Sequence, residues 1–124
     1  MRIAVIGSRK IEDYEWFSAL LNKVVGGVEG SKSFVSGGSE GIDSMVHKFS
    51  KENGLDSFMY KPHFLLDKKA TYSPRDFFTR YRQIVDNADQ VVVIVKDGEE
   101  EADLNFAKEY AEKRERPLFV VTYK

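Results

Sequence analysis

Five short apolar runs alternate with four segments of helical spacing, and this order constrains the fold before any motif is read. Residues 2–6, RIAVI, are β-branched and barely alternate, as in a strand buried on both faces. Phe17, Leu20, Leu21, Val24 and Val25 then recur at helical intervals, with Asp13 placed to cap them and Gly26-Gly27 to end them. Residues 33–36 read as a second short strand. Ile42, Met45, Val46 and Phe49 line one face of a second helix, closed by Asn53-Gly54. Residues 57–60 read as a third strand, stopped by Pro62, and an irregular stretch follows over 62–72. Ser73-Pro74-Arg75-Asp76 then opens a third helix with an N-cap, a first-turn proline and an acid three residues on. Its inward face is Phe77, Phe78, Tyr81, Ile84 and Val85. Residues 90–95, QVVVIV, are the strongest strand pattern. A loop over 96–102 leads to a last helix with Leu104, Ala107, Tyr110 and Ala111 inward, and after Pro117 residues 118–122 form the final strand.

Strict alternation with right-handed crossovers predicts an α/β domain: a five-stranded parallel sheet with helices on both faces. Ligands of such sheets bind beyond the carboxyl ends of the strands, where the strand order reverses. The loops at 7–12, 36–41, 62–72 and 96–102 are therefore expected along one edge.

Length and composition agree with one domain over residues 1–124. Apolar residues make up 42% of the chain, with nine Phe, six Tyr and one Trp, enough for a packed core. The net charge of -1 lacks the positive excess of a chain that holds nucleic acid by charge alone. Without cysteine there is no disulfide or thiolate chemistry. No apolar run approaches the roughly 20 residues that span a bilayer, and no signal-peptide pattern opens the chain, so a cytoplasmic protein without a membrane partner is expected.

Two turns carry the chemical signal. Gly7-Ser8-Arg9 follows the first strand: glycine admits close backbone approach, serine supplies a hydroxyl, and arginine a planar fork for phosphate or carboxylate. The same residues also suit a plain tight turn with a solvated arginine. Ser36-Gly37-Gly38-Ser39-Glu40-Gly41 stands between the second strand and the second helix, whose first N–H groups are available to an anion. Asp43, in the first turn, suits the helix dipole, the ordering of the glycine loop, or a ribose hydroxyl. Neither turn is a Walker A loop or the dinucleotide fingerprint. Arg80 falls at the border of the third helix's apolar face, within reach of the edge or of a neighbouring chain, while Arg75 and Arg82 point outward. The acidic stretch Asp97-Gly98-Glu99-Glu100-Glu101-Ala102-Asp103 follows the strongest strand and reads best as a solvated loop and helix start. His47 and His63 stand alone, without metal-ligand spacing.

MRIAVIGSR, VSGGSEGID with its helix, the proline-ended strand and RYRQIVDNADQVVVIVKDG together resemble the SLOG superfamily, in its small single-domain YspA-like branch. The resemblance runs from Met1 to about Val121. It implies a Rossmann-like three-layer sandwich and a pocket for nucleotides or nucleotide-derived molecules. It also implies kinship with DNA-processing protein A, which binds single-stranded DNA, and with the Lonely Guy phosphoribohydrolases, which cleave the N-glycosidic bond of cytokinin nucleotides. Position by position it carries over Gly7, Ser8 and Arg9 in the first loop, Ser36, Gly37, Gly38, Gly41 and Asp43 in the second, and Arg80, where Tyr81 replaces the asparagine of an Arg-Asn pair. Gly98 joins them in the loop after the fourth strand. Ala102-Asp103 stands where the family has a Gly-Thr pair opening the last helix, and no glutamate follows at the catalytic distance.

The functional expectation is binding of a nucleotide or phosphoribosyl-type ligand, as sensor or carrier rather than enzyme. N-glycoside hydrolysis is the alternative, with Asp43, Glu40 or an acid of 99–103 as candidate carboxylates. Single-stranded DNA binding comes next, with Tyr72, Phe77, Phe78 and Tyr81 for stacking and Arg75, Arg80 and Arg82 for phosphates; charge disfavours it. A module that kept the fold and lost its ligand comes last. No cofactor beyond a bound nucleotide is indicated, and a magnesium requirement stays open. A homodimer is expected, with the aromatic third helix as its surface.

Overall fold

The computed structural model describes residues 1–27, 30–37, 41–60 and 74–124. The chain runs β1 (Arg2–Gly7), α1 (Tyr14–Gly26), β2 (Ser33–Ser36), α2 (Ile42–Glu52), β3 (Asp56–Met59), α3 (Pro74–Asp86), β4 (Gln90–Lys96), α4 (Ala102–Lys113) and β5 (Leu118–Tyr123). The five strands form one parallel sheet in the order β3-β2-β1-β4-β5. This is the expected Rossmann-like α/β sandwich. The irregular stretch 62–72 with His63, and Gly38, lie outside the described residues.

Strand pairing sets the element ends. Gly7 belongs to β1 because it lies opposite Ile94, which extends the strand one residue beyond its apolar run. β3 is shifted one residue earlier than its side chains predict, because all four of its residues pair with β2, from Ser33 opposite Asp56 to Ser36 opposite Met59. Tyr60 still donates its N–H to the Ser36 carbonyl at 2.8 Å, just past the strand. β5 reaches Tyr123 for the same reason, paired with Lys96. Asp13 caps α1 as expected, its Oδ1 accepting from Trp16 N at 3.1 Å.

Side chains of the central strand alternate between two cores. Ile3 and Val5 pack with Phe17 and Leu21 of α1 and with Ile42, Met45, Val46 and Phe49 of α2. Ala4 and Ile6 pack on the other face with Tyr81, Ile84 and Val85 of α3 and Leu104, Ala107 and Ala111 of α4. Leu20, Val24, Val25 and Tyr110 border these cores, half-buried. The sheet grows from β1 toward β3, then returns to the other side of β1 for β4 and β5. With crossovers of one hand, that reversal sends the two helix pairs to opposite faces and leaves a crevice above the ends of β1 and β4.

Candidate functional site

The crevice begins where β1 runs out. A Cβ on Gly7 would lie 2.5 Å from the Ile42 side chain, so the missing side chain lets α2 pack onto the strand end. Gly7 was expected to admit close backbone approach; on the side where a Cβ would stand, that approach is made by Ile42. Ser8 is buried and fixes the turn: its N–H donates to Ile94 O at 3.0 Å, and its Oγ accepts from Lys10 N at 3.1 Å. Its carbonyl accepts from Ile42 N at 3.4 Å, so the first N–H of α2 already has a partner within the chain. Gly41 has φ 70, and a Cβ there would lie 2.7 Å from both Arg9 Cα and Ser8 O. The two predicted loops therefore press directly on each other, and their glycines are the condition for it.

Above this contact Arg9 of the first loop, Tyr81 of α3 and Asp103 of α4 meet, with Asp43 of α2 close enough to be felt electrostatically. Arg9, its side chain 45% exposed, has Nη2 3.6 Å from Asp103 Oδ2, while the Asp103 side chain is 16% exposed. The same Oδ2 accepts from the Tyr81 hydroxyl at 3.1 Å, and Oδ1 accepts from Leu104 N at 3.1 Å. Asp43 is 1% exposed. A Cβ on Gly37 would lie 2.9 Å from its Oδ2, so Gly37 makes room for a carboxylate. Burial first, then the charges of Asp43 and Asp103, push the Tyr81 phenol far above its ordinary value, with Arg9 opposing. Asp43, Tyr81, Asp103 and Arg9 thus share one electrostatic neighbourhood. At the end of β2, Ser36 is fully buried and its Oγ has no hydrogen-bond partner among the described residues.

The rim is closed by a surface pair, Lys10 Nζ to Glu99 Oε2 at 2.8 Å, which ties the first loop to the acidic one. Their hydrogen bond raises the lysine pKa and lowers that of the glutamate; a fully exposed pair of this kind adds little stability. The acidic loop is solvated at residues 97–100, as expected, but Asp103 is drawn inward. Gly98 sits in the exposed turn after β4 with φ 78, and a Cβ there would meet open space.

Arg80 is half-buried and donates from Nη1 to Gln83 Oε1 at 2.8 Å, along its own helix. Arg82 lies over the Phe106 ring at 5.4 Å. Tyr81 is only 4% exposed and Phe78 packs on Phe106 at 4.6 Å, so neither ring is a free stacking platform. His47 is on the surface, Nδ1 3.3 Å from Ser57 Oγ. No group of three or more metal-ligating side chains occurs among the described residues. Sequence periodicity placed the Tyr81 ring inward but carried no signal for its hydroxyl. It also missed a cleft of about 540 Å³ beside Gly41, lined by Ile11, Tyr14, Ser44 and Lys48. There the Lys48 ammonium sits 4.1 Å over the Tyr14 ring.

No family model matches the sequence, and no curated protein matches it. Among solved structures the fold is similar to DNA processing protein A from Helicobacter pylori, a protein described for its single-stranded DNA binding mode. The match has a TM-score of 0.65 at 17% identity, and covers 100% of this chain and 66% of that one. At that identity the likeness is one of fold. No described helix is long and apolar enough to cross a membrane.

Proposed function

We propose that this chain binds a nucleotide-derived ligand in the crevice above β1 and β4. The observation that carries the reading is the meeting of Arg9, Tyr81 and Asp103, with the Asp43 carboxylate in their electrostatic neighbourhood, at the point where the strand order reverses. A ribose suits this arrangement: its hydroxyls donate to carboxylates and its ring oxygen accepts. Ser36 Oγ adds a buried hydroxyl at the same edge. The dense set of hydrogen bonds around Asp103 favours a rigid receptor over a flexible catalytic loop.

A thermal-shift screen against nucleosides, mononucleotides, cyclic nucleotides and ADP-ribose tests this, with and without magnesium. A ligand at 100 times its Kd stabilises by about 2.7 kcal/mol, several degrees in a domain of this size. Asp43→Asn is expected to remove that shift while the free protein keeps its fold. Silence across the whole panel would defeat the reading.

Single-stranded DNA binding is the second reading, favoured by the likeness to DNA processing protein A. The net charge of -1 and the engaged Phe78, Tyr81 and Arg82 side chains weigh against it. Anisotropy of a labelled oligonucleotide at low salt decides: binding that weakens steeply with added salt would favour it.

A further inference from the structure

β5 closes one side of the sheet, with β4 on one flank and no strand on the other. The ladder fixes which of its backbone groups are used. Val91 N donates to Pro117 O at 2.9 Å where the pairing starts, and Asp97 N to Tyr123 O at 2.8 Å where it ends. Parallel pairing then turns the N–H and C=O groups of Phe119, Val121 and Tyr123 toward β4, and those of Leu118, Val120 and Thr122 outward. Such an open row is a template for another strand, which chains blunt with charge, proline or a bulge. β5 has none of these: it carries no charge and no proline, and it pairs with β4 residue by residue along its whole length. Phe119 and Val120, 52% and 48% exposed, point to opposite faces. On the α1 face Phe119 borders an apolar groove of about 380 Å³, lined also by Leu20, Val24, Val92 and Val121.

We propose that β5 is the contact surface for a second copy of this chain, its strand paired antiparallel with its own counterpart across a two-fold axis at Val120. The backbone selects both the occupant and the register. With the axis there, Val120 faces itself and Leu118 faces Thr122 of the copy, so every outward N–H and carbonyl of each strand finds a partner. Moving the axis by one residue sets Leu118 against Lys124, or Thr122 against Arg116, beyond the strand. The match is electrostatic too: each partly positive N–H meets a partly negative carbonyl, and no formal charge is buried. Phe119 then lies opposite Val121 of the copy in a non-hydrogen-bonded pair, where side chains come closest, which brings each ring to the wall of the other groove. Area sets the strength. Each copy covers one strand edge, one half-exposed phenylalanine and one half-exposed valine, less than the roughly 1,200 Å² in total at which stable pairs begin, so the dimer is weak and forms at micromolar to millimolar concentration. Arg9, Asp43, Tyr81 and Asp103 take no part in it, so the pairing holds whichever ligand the crevice takes.

The test is sedimentation equilibrium of the native chain, of Val120→Lys, of Val120→Glu, and of the two variants mixed in equal amounts. The native chain is expected to pass from the mass of one copy to that of two as concentration rises, and no further, because a two-fold contact closes on itself. Either variant alone sets like charges against each other across the axis and is expected to associate at least about fivefold more weakly than the native chain. The mixture sets opposite charges there and is expected to associate at least about fivefold more tightly than either variant alone. Position 120 is half-exposed, so both variants are expected to fold, which circular dichroism checks. Should one fail to fold, Val120→Cys replaces the mixture: in a chain without cysteine, a short bis-maleimide is expected to link two copies through it. A native chain that stays single up to about 1 mM overturns the proposal. So do a mass beyond two copies, association that the folded variants leave unweakened, and a mixture no tighter than its components or a Val120→Cys chain that the reagent does not link.

Discussion

Gly41 carries the tightest steric condition in the site. Its φ of 70 is unfavourable for any side chain, and a Cβ would press on Arg9 Cα and Ser8 O at 2.7 Å, both backbone atoms of the facing loop. Strain and overpacking add, so Gly41→Ala is expected to cost about 2 to 4 kcal/mol. Gly98 has a similar φ of 78 but open space around it, and Gly98→Ala is expected to cost only about 1 kcal/mol. Urea unfolding of the two variants measures the difference; equal losses would mean that the contact between the loops yields freely. The positions of these glycines were legible in the sequence, and their purpose was not. Gly7, Gly37 and Gly41 each make room for a part of the chain itself, namely Ile42, Asp43 and the Ser8-Arg9 backbone. A glycine in a sequence says that something comes close, without saying what.

Helices and strands were legible where one face is apolar, because burial on a face imposes a period. The faces of α2 and α4 agree with Ile42, Met45, Val46 and Phe49, and with Leu104, Ala107 and Ala111. Strand ends were less legible, since pairing with a neighbour decides them, as in β3 and β5. On α3, Phe78 and Tyr81, read as part of its inward face, are engaged with α4. Phe78 packs on Phe106, and Phe106 stacks on Tyr110 at 6.0 Å, so these rings join α3 to α4. Exposed apolar side chains stand instead on the edge strands: Phe58 and Met59 on β3, Phe119 and Val120 on β5. β5 has no charge from Leu118 to Tyr123, and an uncharged edge is a template for pairing with another strand. Val120→Lys is expected to suppress self-association at high protein concentration while changing stability by no more than about 1 kcal/mol. Sedimentation of both proteins across a concentration series checks it; identical profiles that include association would remove β5 from the account.

At the scale of the whole molecule, polar contacts between distant segments were beyond the reach of sequence. Tyr123 donates to Asp13 at 3.1 Å across 110 residues, and Tyr14 to Glu52 at 2.7 Å across 38. Only the assembled sheet brings such groups together, and they leave a common signature in the response to alkali. Burial, then the bond to Glu52, pushes the Tyr14 phenol up to about 12. Burial followed by the carboxylates raises Tyr81, and burial followed by Asp86 raises Tyr110. For Tyr123 the bond to Asp13 comes first. Each folded phenol holds its proton more tightly than the unfolded one, whose ordinary value is 10.0. The folded state therefore binds more protons once the pH passes that value, and its stability must fall there. Below about pH 9 these groups are protonated in both states and contribute no slope. Stability is thus expected to be level with respect to them up to about pH 9, then to decline between about pH 10 and 12. Urea midpoints across that range, with tyrosinate absorbance followed in parallel, test the coupling. Tyr14→Phe and Tyr123→Phe together should flatten the decline, because two of the linked protons are gone. An undiminished decline in the double variant would place its origin in other groups, whereas a midpoint constant to pH 12 would mean that these phenols titrate alike in the folded and unfolded chain.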